Sequence, residues 1–365
     1  MHIGIDGRLT YYRTGGISTY IRRLVGALET LDTENQYTVF HSRKASDSLV
    51  ARFQGAKLWT PCHHRIERTA LTIELARFNL DILHSPDFIP PRHGAKRQVI
   101  TVHDLNFLYY PDLLTTESRR YYNDQIETAV RQADHILADS EATRTDMVNM
   151  LGVPAEKITV HMLGVEEKFQ PLPDEVVQTF CQEYELPANY ILFVGTFEPR
   201  KNIAGLLQAY QSLRSELPDA PPVVLAGRRG WMFDETMARI RQMGLDSHIH
   251  WRENIPDTAL PALYNGARVL VTPSFYEGFG LPALEAMACG TVPIVSNRSS
   301  LPEVVGEVGL QVNPDDPATI TQALHQALTD SDWRHNMQTA ALERARLFTW
   351  EQTATTVLSV YRSVI

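Results

Sequence analysis

Cysteine is scarce in this sequence: Cys62, Cys181 and Cys289 are its three, an odd number, and they lie far apart. That excludes a disulfide framework, offers no metal-ligand spacing, and reads as a chain of a reducing compartment. No apolar run approaches the roughly 18 residues a membrane-spanning helix needs. The first residues, MHIGIDGRLTYYRTGG, carry Asp6 and lack the apolar core of a secretion signal. Positive charge is in deficit, with 34 Lys and Arg against 43 Asp and Glu and a net charge of −9. A nucleic-acid partner held by a global basic field is therefore not expected. A local basic pocket for a phosphorylated ligand remains open. The dinucleotide fingerprint is missing too. The first glycine loop, TGGISTY from Thr14 to Tyr20, is not G-x-G-x-x-G, and no acidic residue closes a second strand. No repeat of roughly 20–50 residues is present.

What is there is alternation. Short apolar runs at His2–Asp6, Tyr37–His41, Asp81–His84, Gln98–Val102, His135–Ala138 and Ile158–His161 read as buried strands. Helical patterns separate them, one over 116–132 and one opened by Ser140 and closed at Gly152. The stretch from Gly164 to Pro187 breaks the rhythm with three prolines and an acidic excess, and predicts a connection carrying one helix. Strand patterns then resume at Tyr190–Val194, Val223–Ala226, His248–Trp251, Arg268–Thr272, Val292–Ser296 and Gly309–Val312. Asn202 is placed to cap the helix that follows the first of these. The pattern predicts an α/β chain of two doubly wound Rossmann-like domains facing a cleft, residues 1–170 and 171–347. A last helix, over 348–365, is opened by Thr349 and Gln352 in capping-box spacing and is free to return to the first domain.

Four loops carry candidate chemistry, all after strands. PSFYEGFGLPALEAMACG, from Pro273 to Gly290, places Glu277 before a glycine-flanked helix start and Glu285 one turn inside it. Free amides and the positive helix end suit an anion, and carboxylates on either side suit sugar hydroxyls. GTFEPRKN, from Gly195 to Asn202, offers Arg200 and Lys201 as cations for phosphate. Gly15 and Gly16 allow a close backbone approach. His103, in Val102-His103-Asp104, sits where it could bind a hydroxyl or move a proton, with His84 as a rival. His63 and His64, adjacent, read as surface residues. Asp330-Ser331-Asp332 spells a metal motif but reads as helix punctuation, with Ser331 or Asp332 as cap. Arg228 and Arg229 either line the cleft or are surface charges.

Together these motifs resemble the retaining glycosyltransferases of family 4, which have the GT-B architecture. The resemblance spans essentially the whole chain and is strongest from Tyr190 to Asn313. It rests on Glu277 and Glu285 in E-x7-E spacing inside PS-x-YEGFGLP-x-LEAMACG-x-P, together with the lysine of GTFEPRKN, the early Gly-Gly loop, the Val-His-Asp segment and the closing helix. It implies that Glu285 binds ribose hydroxyls and Glu277 holds the transferred sugar. The amides of Gly278, Phe279, Gly280 and Leu281 would meet sugar and diphosphate. Lys201 and Arg200 would neutralise the leaving diphosphate, with Gly15 and Gly16 on its other side. His103 would contact the sugar near the reacting carbon, and Asn254 and Ile255 would face the base. No metal and no cofactor is implied beyond the nucleotide-sugar substrate. Some family members carry an arginine where this chain has Thr196, so Arg200 or Arg228 is expected to compensate.

GTFEPRKN and the SLPEV segment (Ser300–Val304) look most like mannosyltransferases of cell-surface polysaccharide synthesis. GDP-mannose is the favoured donor and UDP-sugars the runner-up. The expected acceptor is a saccharide or lipid-linked saccharide, and the expected location is cytoplasmic, with peripheral contact at the inner membrane face. Arg65, Arg68 and Arg77 could form a basic patch for that contact, or simply a solvated helix face. The alternatives are a sugar-nucleotide epimerase of the same architecture and a non-catalytic carbohydrate-binding protein.

Overall fold

The computed structural model describes residues 1–12, 15–64, 66–111 and 116–365. The described chain divides into two units, Met1–Gly164 with Thr349–Ile365, and Val165–Phe348.

In the first unit the strands are β1 (His2–Asp6), β2 (Gln36–Ser42), β3 (Gln54–Leu58), β4 (Leu80–Ser85), β5 (Ala95–Val102), β6 (His135–Ala138) and β7 (Ile158–Val160). They form one parallel sheet in the order β3-β2-β1-β4-β5-β6-β7. The central strands are apolar on both faces because helices cover both, and Ile3, Ile5, Ile82, Val99, Ile100 and Ile136 are fully buried. Sequence pattern missed β3. Its QGAKL is polar and half-exposed because it pairs on one side only, at the sheet edge. Ser140 caps its helix as expected, its hydroxyl accepting from the Thr143 amide, and Gly152 ends that helix at φ 63°.

The second unit holds β8 (Tyr190–Val194), β9 (Val223–Ala226), β10 (Ile249–Arg252), β11 (Ala267–Thr272), β12 (Val292–Ser296) and β13 (Leu310–Val312). All pair in parallel in the order β10-β9-β8-β11-β12-β13. In each unit the strand order reverses once, between β1 and β4 and between β8 and β11. Ligands of such sheets bind at the carboxyl ends of strands at that reversal. Asn202 caps the helix Ile203–Glu216, its side-chain oxygen accepting from the Gly205 amide.

The last helix, Trp350–Ser363, packs on the helix Gly16–Leu31 of the first unit, burying Val357, Val360 and Tyr361. Thr349 accepts from the Gln352 amide, as its spacing predicts. In the Asp330–Asp332 motif the cap is Asp330, whose carboxylate accepts from the Trp333 amide, and neither Ser331 nor Asp332 takes that role. No helix among the described residues is long and apolar enough to cross a membrane.

Candidate functional site

The two loops that leave β8 and β11 meet in the second unit. These strands are neighbours, so Gly195–Asn202 and Pro273–Gly280 run side by side. The Phe275 amide donates to the Arg200 carbonyl at 2.8 Å. Gly195, at φ 158°, lies close to the Lys201 stem. A Cβ on Gly227, after β9, would come within 1.9 Å of the Gly195 carbonyl. Only glycine lets that third loop pass so near.

Glu277 is the centre of the meeting. Lys201 Nζ donates to its Oε1 at 2.5 Å, Arg200 to its Oε2 at 2.8 Å and Ser274 Oγ to its Oε1 at 2.7 Å. The carboxylate is almost entirely buried. Burial alone would raise its pKa. Lys201 and Arg200 outweigh burial and hold it at about 2. Arg200 also reaches Glu198 at 3.0 Å and the Tyr276 carbonyl at 3.2 Å. Burial pushes the Lys201 ammonium below its usual value, against the pull of Glu277. The two cations are thus ion-paired rather than solvated, and Arg200 stands beside the glutamate with no arginine at Thr196.

The helix Leu281–Ala288 opens directly after this cluster. Gly280, at φ 105°, is its cap and brings no side-chain acceptor; Pro282 has no amide and Ala283 donates to the Gly280 carbonyl at 2.9 Å, which leaves the Leu281 amide for water or a ligand. Pro282 is the second helical residue, where a missing amide breaks no helical hydrogen bond. Ser299 and Ser300 hold the loop from behind. The Glu277 amide donates to Ser299 Oγ at 3.2 Å, and Ser300 Oγ lies 2.8 Å from the carbonyls of both Glu277 and Phe279, between which it shares its one proton. SLPEV therefore has a definite task, clamping the Glu277–Phe279 backbone. Sequence reasoning missed Ser299 as a support, because a bond across 22 residues leaves no local spacing, and missed Ser274, which lies only three residues before Glu277.

Glu285 is half-buried and accepts a hydrogen bond from Tyr264 at 2.6 Å. Burial lifts its pKa to about 7 against that bond, and Glu166 adds to the rise. Lys168, paired with Glu166 at 3.2 Å and with Asp257, is the neighbouring cation. Asn254, exposed at φ 60°, and half-buried Ile255 follow β10. Arg229 pairs with Glu253 at 3.5 Å and lies over Trp251, while Arg228 is exposed at the end of the β9 loop.

The remaining candidates belong to the first unit. Gly15, at φ 142°, caps the helix Gly16–Leu31, and both glycines are exposed. Thr14, the first residue of that motif, lies outside the described residues. His103 is not free for chemistry as held. Its Nδ1 meets Asp139 at 2.7 Å and its Nε2 meets the Pro86 carbonyl at 2.8 Å. Both partners only accept, so both ring nitrogens carry protons. Burial alone would lower this pKa, but Asp139 outweighs it and lifts it to about 9. His84, the rival, is fully buried between Tyr361 (2.6 Å) and Thr101 (2.8 Å). His63 is not a surface residue. A left-handed backbone at φ 59° turns it inward to Asp87, 3.0 Å away, while His64 stays exposed. Arg68 does not join a basic patch either. It turns inward to the Pro90 carbonyl at 3.0 Å, Arg77 lies over Phe78, and Arg65 is outside the described residues.

A buried carboxylate braced by two cations stands beside the glycine-led helix start, at the reversal of a Rossmann-like sheet. The chain belongs to the glycosyltransferases: residues 182–344 match the family Glycosyl transferases group 1 and residues 14–169 match Glycosyltransferase Family 4. It is 37% identical over 282 residues to O-antigen chain mannosyltransferase B of Escherichia coli, covering 77% of this chain and 74% of that one. It is 33% identical over 275 residues to the serotype-specific mannosyltransferase WbdA of E. coli, covering 73% of this chain but only 33% of that longer protein. Among solved structures it resembles sucrose-phosphate synthase from Thermosynechococcus elongatus, with a TM-score of 0.80 at 20% identity, covering 100% of this chain and 98% of that one. It also resembles WaaG, a glycosyltransferase involved in lipopolysaccharide biosynthesis, with a TM-score of 0.76 at 15% identity over 98% and 99% of the two chains. These likenesses establish the GT-B fold.

Proposed function

We propose that the chain is a retaining hexosyltransferase. It moves mannose from GDP-mannose to a saccharide or lipid-linked saccharide acceptor in the synthesis of a cell-surface polysaccharide. The observation that carries this reading is the Glu277–Lys201–Arg200 cluster beside the open helix start at Gly280. Mannose is favoured by the names of the two E. coli relatives. Glu277 is the acceptor for hydroxyls of the transferred sugar, held ionised by its two cations. Glu285 takes the ribose hydroxyls, and Asn254 and Ile255 lie toward the base. The amides of Gly278, Phe279, Gly280 and Leu281 take the sugar and diphosphate. Gly15 and Gly16 present the backbone of the first unit. His103, with both nitrogens engaged, positions Pro86 rather than moving a proton.

In the reaction an acceptor hydroxyl oxygen bonds to the anomeric carbon as the bond from that carbon to the β-phosphate oxygen breaks. The departing nucleoside diphosphate takes the hydroxyl proton, and attack on the face it leaves retains configuration. Lys201, Arg200 and the helix start stabilise the charge that grows on the diphosphate, and no metal or cofactor is assigned a part. Location at the inner membrane face belongs to this reading through the lipid-linked acceptor.

Thermal-shift titration with GDP, UDP, ADP and their sugar conjugates, with and without magnesium, tests the reading. Binding to the folded state raises apparent stability by mass action. Stabilisation by GDP and GDP-mannose in chelator is expected. Stabilisation by UDP compounds alone would move the donor to a UDP-sugar, and none by any nucleotide would remove the donor-site assignment.

A further inference from the structure

The sheet of the first unit ends at β3, and the helix Glu67–Leu75 covers the sheet beside that edge. Leu71 and Leu75 of the helix bury against Leu58 and Phe40. At about 100° per residue, Ile73 then points directly away from that core, with Ile66 and Ala70 on the same side and Arg77 one turn further on. Ile73 is 74% exposed and Ile66 61%. Trp59, 69% exposed, flanks this side. The amides of Trp59 and Thr60 donate to the Glu74 carboxylate at 3.0 and 3.1 Å, and Glu74 lies one turn after Ala70. Single exposed apolar residues are ordinary, but a grouped set marks a surface with a partner.

The charges around the group name the partner. Arg43 lies 4.4 Å above the Trp59 ring and Arg77 4.9 Å above the Phe78 ring, and both arginines are exposed. The carboxylates of the helix are spent inward. Glu67 is buried on Arg8 at 2.8 Å, and Glu74 is turned to the two amides. From residue 43 to residue 77 the exposed charges among the described residues are Arg43, Lys44, Arg52, Lys57 and Arg77 against Asp47. In a chain of net charge −9 the sign is locally reversed. A protein partner needs roughly 800 Å² of complementary surface on each side. A lipid surface needs only projecting apolar tips, an indole at the boundary and cations for the headgroup phosphates.

We propose that this face, with Trp59, Ile66 and Ile73 as its apolar tips and Arg43 and Arg77 as its cations, docks the first unit on an anionic lipid surface. Arg68 takes no part, because it is turned inward to the Pro90 carbonyl. This docking extends the location given with the transferase reading and stands on observations of its own.

The test is co-sedimentation of the full chain with vesicles of phosphatidylcholine, alone or mixed with phosphatidylglycerol. Binding to the anionic vesicles is expected to be at least about tenfold tighter than to the neutral ones, and to weaken as salt rises. Ile73→Ser is expected to weaken it about tenfold, and Arg43→Gln and Arg77→Gln about fivefold each. All three positions are exposed, so the melting temperature should stay where it is. Trp59 is the most exposed of the five tryptophans. Tryptophan emission is expected to shift to the blue on anionic vesicles, and Trp59→Phe to abolish the shift. No binding to anionic vesicles, equal binding to both kinds, or binding that Ile73→Ser and the arginine variants leave intact overturns the proposal. So does self-association without lipid that Ile73→Ser abolishes, which would give the face to a second copy. Stabilisation by GDP on the same samples reports on the transferase reading separately. Nucleotide binding without vesicle binding removes the docking alone, and vesicle binding without nucleotide binding removes the transferase reading alone.

Discussion

At the scale of single residues, the account depends on Glu277 being a carboxylate that two cations hold in place. Removing it leaves Lys201 buried without its partner, which typically costs about 3–5 kcal/mol. Glu277→Ala is therefore expected to lower the melting temperature and to reduce transfer by at least about 100-fold. Adding Lys201→Met should recover stability, since no buried charge then stands alone, but not turnover. Unchanged turnover in Glu277→Ala would contradict the role. Glu285 gives a pH signature. Its folded pKa is raised to about 7 by burial, and it must be ionised to accept from two ribose hydroxyls. Nucleotide affinity should then be full above pH 7 and fall about tenfold for each unit below it. Lys168, Glu166, Asp257, Tyr264 and Cys289 surround it, and Glu285→Gln should flatten the profile. A titration between pH 5.5 and 8 in which Kd does not change would refute this. Glu277, Glu285 and Lys201 were singled out as candidates from type and spacing, and the structure brings Glu277 and Lys201 together. That Lys201 and Glu277 bond directly was not legible, because 76 residues separate them and only the sheet brings their loops together. The inward turn of His63 was illegible for a related reason: a left-handed backbone at a non-glycine residue leaves no pattern.

At the scale of elements, glycine conformation separates structural from functional positions. Gly280 sits at φ 105°, and a Cβ there would meet the Leu301 side chain at 2.6 Å. Gly280→Ala is expected to destabilise by about 1–3 kcal/mol and to weaken nucleotide binding, because the helix start must move. Gly26 lies inside the helix Gly16–Leu31 with open space around it. Gly26→Ala should stabilise by about 0.5–1 kcal/mol and leave binding alone. Denaturant melts and calorimetry on the pair check both, and equal effects would deny the helix start its special place. Twelve strands were readable as apolar runs because both sheets are covered on both faces. Among the described residues β3 escaped because its QGAKL is short of apolar residues and mostly exposed at the sheet edge, unlike the other edge strands β7, β10 and β13. The helix caps at Ser140, Asn202 and Thr349 were readable because each bond closes within three residues.

At the scale of the whole molecule, the chain returns to its first unit after completing its second. The closing helix buries Ala354, Val357, Leu358, Val360 and Tyr361, and Tyr361 bonds His84 at the end of β4. At about 1.5–3 kcal/mol for each large apolar side chain buried, its contribution is comparable to the stability of an ordinary domain. Deleting Thr349–Ile365 should therefore unprotect the amides of β1 and β4 in hydrogen exchange while those of β8 and β11 stay protected. Unchanged exchange in β1 and β4 would show that the helix is dispensable. The sequence left its docking open, since an amphipathic helix names a face but not its partner.

The central claim is that this molecule transfers a sugar with retention. NMR of the full chain with GDP-mannose and methyl α-D-mannopyranoside, in chelator, tests it most directly. The account predicts a new anomeric proton of an α-linked product, formed in step with GDP. A β-linked product, or conversion of the donor to another nucleotide sugar without use of the acceptor, would contradict it.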